Sequence, residues 1–264
     1  RHRGCLRIGG LEDWRPLNLV FITQGQQRHP LGYEMNAHPA STVRDLLAAI
    51  DDYIVPVRDR VCPGEPFAIA PHIGQSLAAQ LSRKGVAESF GDRLRDLDLH
   101  LYTVNAFPLS DFHAKRVKEQ VYLPSWAHVA RATTTCRIAD AMVRMVPEVR
   151  RLTISTLGGG YRPAGDTPVL HSKMASGYLK VVAHLARIEQ QTGIFIALNA
   201  EPEPDTTFEC AEDVISFWKD HLHPQLPDLA RELRCHRARA EGLLRRHWTV
   251  NLDACHSAVL YRSP

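Results

Sequence analysis

The segment Ile194-Phe195-Ile196-Ala197-Leu198-Asn199-Ala200-Glu201-Pro202-Glu203-Pro204 joins an apolar run to an acidic, proline-stopped end. A short run such as Phe195-Ile196-Ala197-Leu198 has no polar side to turn toward water, which is the pattern of a strand covered on both faces by helices in a parallel sheet. Glu201 follows directly, and Pro202 ends the strand because proline has no N–H to give to a ladder. The chain therefore sets a carboxylate at the carboxyl end of a buried strand.

Outward from this segment the same alternation repeats. Strands are expected over 32–36, 66–70, 99–105, 152–156, 194–200 and 248–252. Helical patterns lie between them, over 41–60, 76–95 with a break near Gly85, 125–150, 168–191 and 211–247 with proline interruptions. In the first of these, Val43, Leu46, Leu47, Ile50 and Tyr53 or Ile54 recur at three- and four-residue steps and make one buried face. Strict strand-helix alternation demands parallel strands, since each crossover returns the chain to the same end of the sheet. The expected fold is α/β, a TIM-type (β/α)8 barrel with about six of its eight units, over residues 31–264. Residues 1–30, with the apolar run 17–22, read as an irregular leader or a stray strand. The alternative, an open doubly wound sheet, lacks its usual G-x-G-x-x-G after the first strand.

Composition bounds the function. With 264 residues, 44% of them hydrophobic, the chain can fill one large core. A net charge of +3, from 32 basic and 29 acidic residues spread along the chain, is too weak to imply nucleic acid. The cysteines Cys5, Cys62, Cys136, Cys210, Cys235 and Cys255 form no C-x-x-C pair, so reduced thiols in a cytoplasm are expected. No apolar run approaches a membrane span, and Arg1-His2-Arg3-Gly4 has no signal-peptide core.

In a parallel barrel the chemistry sits where strands end. Those ends are polar: Asn36-Ala37-His38-Pro39, Pro71-His72, Asn105-Ala106-Phe107-Pro108, Ser155-Thr156, Glu201-Pro202-Glu203-Pro204 and Asp253-Ala254-Cys255-His256. In a continuing strand Asp253 and His256 would face opposite ways, so they converge only if the chain turns immediately after Asp253. With that turn, Glu201, Asp253 and His256 supply oxygen and nitrogen donors for one divalent ion, Mn²⁺, Mg²⁺, Fe²⁺ or Zn²⁺. The competing reading makes Glu201 and Glu203 solvated loop acids and Asp253 the cap of a turn. After the third strand, Phe112-His113 and Arg116-Val117-Lys118-Glu119 lead to Val121-Tyr122-Leu123-Pro124-Ser125-Trp126. Asn105, Arg116, Lys118 and Glu203 are candidate substrate contacts, and His113 is a candidate for proton transfer. Alternatively Arg116 and Lys118 are surface charges, while Tyr122 and Trp126 pack the next helix.

In order and spacing, Gly32-Tyr33 through His38-Pro39, Val104 to Pro108 with Phe112-His113, Arg116 to Glu119 with Val121 to Pro124, Ile154-Ser155-Thr156, Glu201 to Pro204 and Asp253 to His256 resemble the metabolite-traffic EboE family of xylose isomerase-like barrels. The resemblance covers residues from about Leu31 to Pro264. It implies a metal-dependent sugar-phosphate isomerase or epimerase ancestry, with a role in moving or maturing a secondary metabolite. It places Glu201, Asp253 and His256 at metal positions, and makes His38, His113 or a second carboxylate the base that moves a proton. Its expected partner is a small sugar-like or other polar metabolite, with oligomerisation left open. The family continues past the D-x-x-H strand with two more units, so a C-terminally truncated barrel is expected here. A non-catalytic binding or traffic scaffold is the second functional reading, and an apurinic endonuclease-like enzyme the third.

Overall fold

The structure is a computed structural model that describes residues 21–24, 27–30, 32–109 and 118–261. Strands β1 (Phe21–Gln24) and β2 (Gln27–Pro30) form an antiparallel ribbon. The stretch read as a leader thus carries a hairpin in its last ten residues.

Parallel strands follow: β3 (Gly32–Glu34), β4 (Phe67–Ala70), β5 (Leu99–Leu101), β6 (Thr103–Asn105), β7 (Arg151–Leu157), β8 (Phe195–Glu201) and β9 (Trp248–Val250). β5 and β6 are two halves of one strand interrupted at Tyr102, whose carbonyl still accepts from Thr153 N at 3.0 Å. The continuation of β4 pairs with β6 through a parallel bridge between His72 and Asn105. All six strands expected from the sequence therefore stand next to their predecessor and successor. A doubly wound sheet reverses its order at a switch point, whereas a barrel never does, so this order is that of a TIM-type barrel. Among the described residues, β3 and β9 each pair on one side only, which makes the ladder an arc of six.

The crossovers are helical because their apolar residues share one face. α1 (Val43–Ala49) starts in a capping box, with Asp45 N donating to Thr42 Oγ1 at 3.1 Å and Thr42 N to Asp45 Oδ2 at 2.9 Å. It continues through a π-turn (Ile50–Ile54) into α2 (Val55–Val61). α3 (Gln75–Leu81) and α4 (Val86–Asp96) divide at Gly85, and α5 (Val129–Met145) precedes β7. α6 (Pro168–Thr192) has Thr167 as cap, proline at its first position, and Gly193 at φ 72° to end it, a left-handed conformation that glycine adopts without strain. Then come α7 (Ala211–Phe217), α8 (Leu226–Glu232), α9 (Arg237–His247) and, after β9, α10 (Ala254–Val259). Among the described residues no helix is long and apolar enough to cross a membrane.

The core lies between the strands and this helical layer. Leu152, Ile154, Ile196 and Leu198 on the strands pack in one cluster with Ile138 and Met142 of α5 and Tyr178, Val182 and Leu185 of α6. Burial of each such side chain stabilises the fold by about 1.5–3 kcal/mol. The other face of β6 to β9 differs from the expectation of strands apolar on both sides. Thr103, Asn105, Thr153, Ser155, Asn199, Glu201 and Thr249 alternate with the buried positions and stay half-buried. They bond to one another: Thr153 Oγ1 donates to Thr103 Oγ1 at 2.6 Å, Asn251 Nδ2 to Ser155 Oγ at 3.3 Å, and the Thr249 hydroxyl to Asn199. Among the parallel strands β4 alone is buried at every position, as a doubly covered strand should be.

Candidate metal centre

Glu201 is the last residue of β8, and its partner in the ladder, Leu157, is the last residue of β7. Two residues back in β7, Ser155 faces the same side, and its hydroxyl donates to Glu201 Oε2 at 2.6 Å. On the far side, β9 ends at Val250 and the chain turns into α10, so Asp253 becomes the cap of that helix. Asp253 Oδ1 accepts from Cys255 N at 2.7 Å and His256 N at 3.0 Å. The cap reading of Asp253 and the convergence it needs are one geometry: the turn that Asp253 caps is what swings His256 back.

The result is a compact donor set. Glu201, Asp253 and His256 each offer a ligand atom, all within 4.8 Å of one another, and all three side chains are half-buried. In each, one polar atom is tied by a hydrogen bond. Glu201 spends Oε2 on Ser155, leaving Oε1 at 3.7 Å from His256 Nδ1. Asp253 spends Oδ1 on the cap, leaving Oδ2 at 3.7 Å from His256 Nε2. His256 Nδ1 lies 3.0 Å from the Pro202 carbonyl, an acceptor with no hydrogen to give, so Nδ1 is the donor of that bond and, in the neutral imidazole, Nε2 is the nitrogen with a lone pair. An imidazole with one nitrogen bonded to a carbonyl and the other free to coordinate, beside two carboxylates, fits a divalent ion.

The mouth around the trio is acidic. Burial pushes the Glu203 carboxyl up to about 7, with Glu201 and Asp253 adding to the rise and His256 opposing it. Glu34, at the end of β3, is exposed; its partial burial and then Glu201 pull its carboxyl upward, and solvent screens that pull. The environment of Glu203 does not match a freely solvated loop acid. Tyr122 stacks on Tyr161 at 4.9 Å and on Phe107 at 5.9 Å, and burial, then Glu203, raises its hydroxyl to about 12.

Of the other candidates, Asn105 and His38 stand outside the trio, Asn105 in register with Ser155. Asn105 ends β6, where its Oδ1 accepts from Phe107 N at 3.0 Å. His38 is sandwiched between Tyr33 and Tyr53, at ring distances of 5.7 and 4.4 Å, with Nε2 2.8 Å from the Tyr33 hydroxyl. Lys118 opens a short 3-10 turn, Lys118–Tyr122, and its side chain lies outside the described residues, as do His113 and Arg116. Trp126 packs as a core residue, stacked on Tyr178 at 4.0 Å with Nε1 donating to Leu157 O at 3.0 Å.

Ser155 is named from sequence only as a polar strand end, and Asn251, Glu34 and Tyr161 are not singled out there as site residues. Each stands at or just beyond a strand end, a signal that was available. The loop Gly158-Gly159-Gly160 was missed too. A Cβ on Gly158 would stand 2.4 Å from Glu201 O, so only glycine lets the β7 loop lie against the end of β8.

No protein-family model and no curated protein matches the chain. Among solved structures it is similar to the IolI protein crystallised with a zinc atom bound, at 10% identity and a TM-score of 0.44. That match covers 88% of this chain and 65% of the IolI chain, so this chain spans less than two thirds of that protein's length. It is also similar to the probable 3-DHS dehydratase AsbF, involved in petrobactin synthesis, from Bacillus anthracis. There the identity is 13%, the TM-score 0.40, and the match covers 83% of this chain and 71% of AsbF.

Proposed function

We propose that this chain is a divalent-metal barrel protein of the isomerase or epimerase type, acting on a small polyhydroxylated carbonyl compound. The observation that carries the reading is the convergence of Glu201, Asp253 and His256 within 4.8 Å at the carboxyl ends of β8 and β9. An ion held there would polarise a carbonyl or hydroxyl oxygen. Glu201 and Asp253 offset its charge, and Ser155 and the Pro202 carbonyl orient the ligands. Glu203 stands at the same mouth as a carboxyl able to hold or release a proton near neutrality, a role expected from sequence of His38, His113 or a second carboxylate. The EboE-like role in traffic or maturation of a secondary metabolite belongs to this reading through the sequence segments alone. An endonuclease-like site calls for several metals, and the described residues hold one such trio.

The test is solvent proton exchange. Manganese-loaded protein is incubated in D₂O with aldoses, ketoses and their phosphates, and ¹H NMR follows deuterium entering the carbon beside the carbonyl. Exchange that disappears in Glu201→Ala is expected. Stoichiometric metal with no exchange on any of these compounds would transfer the reading to a binding scaffold.

A further inference from the structure

The metal reading leaves open what holds the ligands in register, and we infer that Arg162 is the positioning residue of the centre. It acts through the β8 loop on the Pro202 carbonyl and hence on the His256 imidazole. The inference rests on the metal-site reading for its consequence, and on the hydrogen bonds of Arg162 for its cause.

Arg162 follows β7 by five residues and reaches across to the loop after β8. Its Nε donates to Thr206 O at 3.1 Å, and its Nη2 to Thr207 O at 3.0 Å and Asp213 Oδ2 at 3.0 Å. Nη1 lies 3.7 Å from Glu209 Oε2, and its backbone N–H donates to Asp205 O at 2.8 Å. One planar fork thus holds two consecutive carbonyls and two carboxylates, a geometry that a lysine cannot reproduce.

The loop it grips is closed on itself. Glu203 N donates to Phe208 O at 2.9 Å, and the Thr206 hydroxyl lies 2.8 Å from both Glu203 O and Phe208 O. Pro202, whose carbonyl meets His256 Nδ1, is the residue before this ring, and Glu201 is the one before that. A shift of the ring moves the carbonyl that fixes which imidazole nitrogen carries the proton. Backbone bonds from Thr207 N to Gly160 O and from Phe208 N to Gly158 O also tie the loop, so loss of Arg162 loosens it without releasing it. Partners that orient a metal-bound histidine typically change affinity about 10–100-fold when removed. Arg162 acts one step further out, so the lower end applies.

Arg162→Ala and Arg162→Lys are compared with wild type in two measurements. Long-range ¹H–¹⁵N spectra of the metal-free protein, with His256 assigned by its loss in His256→Gln, report the tautomer. Calorimetric titration with MnCl₂ reports affinity. Wild type is expected to show His256 protonated on Nδ1, Arg162→Ala a mixture of both tautomers with affinity lowered about ten-fold, and Arg162→Lys an intermediate state. Arg187→Ala, which removes a contact to Glu232 in the helical layer, should change neither. Wild-type tautomer and affinity in Arg162→Ala overturn the inference. If wild type binds no Mn²⁺ the metal reading fails, and the tautomer comparison still decides this one. Should Arg162→Ala not melt cooperatively, Asp213→Asn, which weakens one arm of the fork, takes its place under the same criteria.

Discussion

Replacing Glu203 with glutamine separates the charge of this carboxyl from its shape. In the folded, metal-free protein the group titrates at about 7, against an ordinary value of 4.5, with burial the larger cause and Glu201 and Asp253 the next contributors to the rise. Its folded pKa is raised, so between those two values the folded chain holds a proton that the unfolded chain has released. Stability is then greatest below pH 4.5 and falls as pH climbs toward 7. Every tenfold difference in proton affinity between the folded and unfolded chain corresponds to about 1.4 kcal/mol, which sets the full effect at about 3 kcal/mol at pH 8. Glutamine keeps the size and removes the ionisation. The Glu203→Gln protein should match wild type at pH 4.5 and exceed its stability by up to about 3 kcal/mol at pH 8, with EDTA present throughout. Urea melts at half-unit pH steps measure the gap, in which titrating groups that do not interact with Glu203 cancel. A gap that stays flat with pH, or a variant less stable than wild type at pH 8, would refute the claim that Glu203 sits desolvated among other carboxylates.

Three further outcomes follow from the same contacts. Ser155→Ala removes the 2.6 Å bond to Glu201 Oε2 and should lower Mn²⁺ affinity about ten-fold with an unchanged fold; equal titrations of variant and wild type would count against Ser155 as an orienting group. Arg131 is fully buried, over the Phe107 ring at 6.0 Å; its Nε donates to Pro124 O at 2.5 Å, while neither terminal nitrogen has a hydrogen-bond partner among the described residues. Arg131→Met should therefore raise stability by about 1–3 kcal/mol in urea melts, and a loss of similar size would show that the guanidinium is satisfied. His247 is fully buried at the amino end of β9, with Nδ1 donating to Ile196 O at 2.8 Å, and burial holds it below its ordinary value of 6.5. Its folded pKa is depressed, so its contribution is present above pH 6.5 and is lost on acidification as the unfolded imidazole takes up a proton. His247→Gln should flatten the decline in Tm between pH 7 and 5; an unchanged slope contradicts this.

The framework of the fold was legible because its two periods are local. The run ending at Ala200 and the three- and four-residue steps from Val43 to Ile54 announce themselves without knowledge of neighbours, and the structure keeps both within a residue or two. The polar inner face was not legible in the same way. Thr153 reads as a strand residue and Ser155 as a polar strand end, and only the pairing of β6 to β9 shows that they line one side together. The trio was legible because each member closes or follows a strand, and Asp253 carries the turn signal in its own side chain. Arg162 and the Phe107-Tyr122-Tyr161 stack were invisible. They join loops after different strands, and no spacing along the chain encodes a contact between loops. His113 and Arg116 lie outside the described residues.

The central claim is that Glu201, Asp253 and His256 hold one divalent ion. Elemental analysis of purified protein, equilibrated with Mn²⁺ or Zn²⁺ and freed of excess, tests it directly beside Glu201→Ala and Asp253→Ala. About one ion per wild-type chain and none in either variant is the predicted result. Wild type without metal, or both variants retaining it in full, would contradict the account.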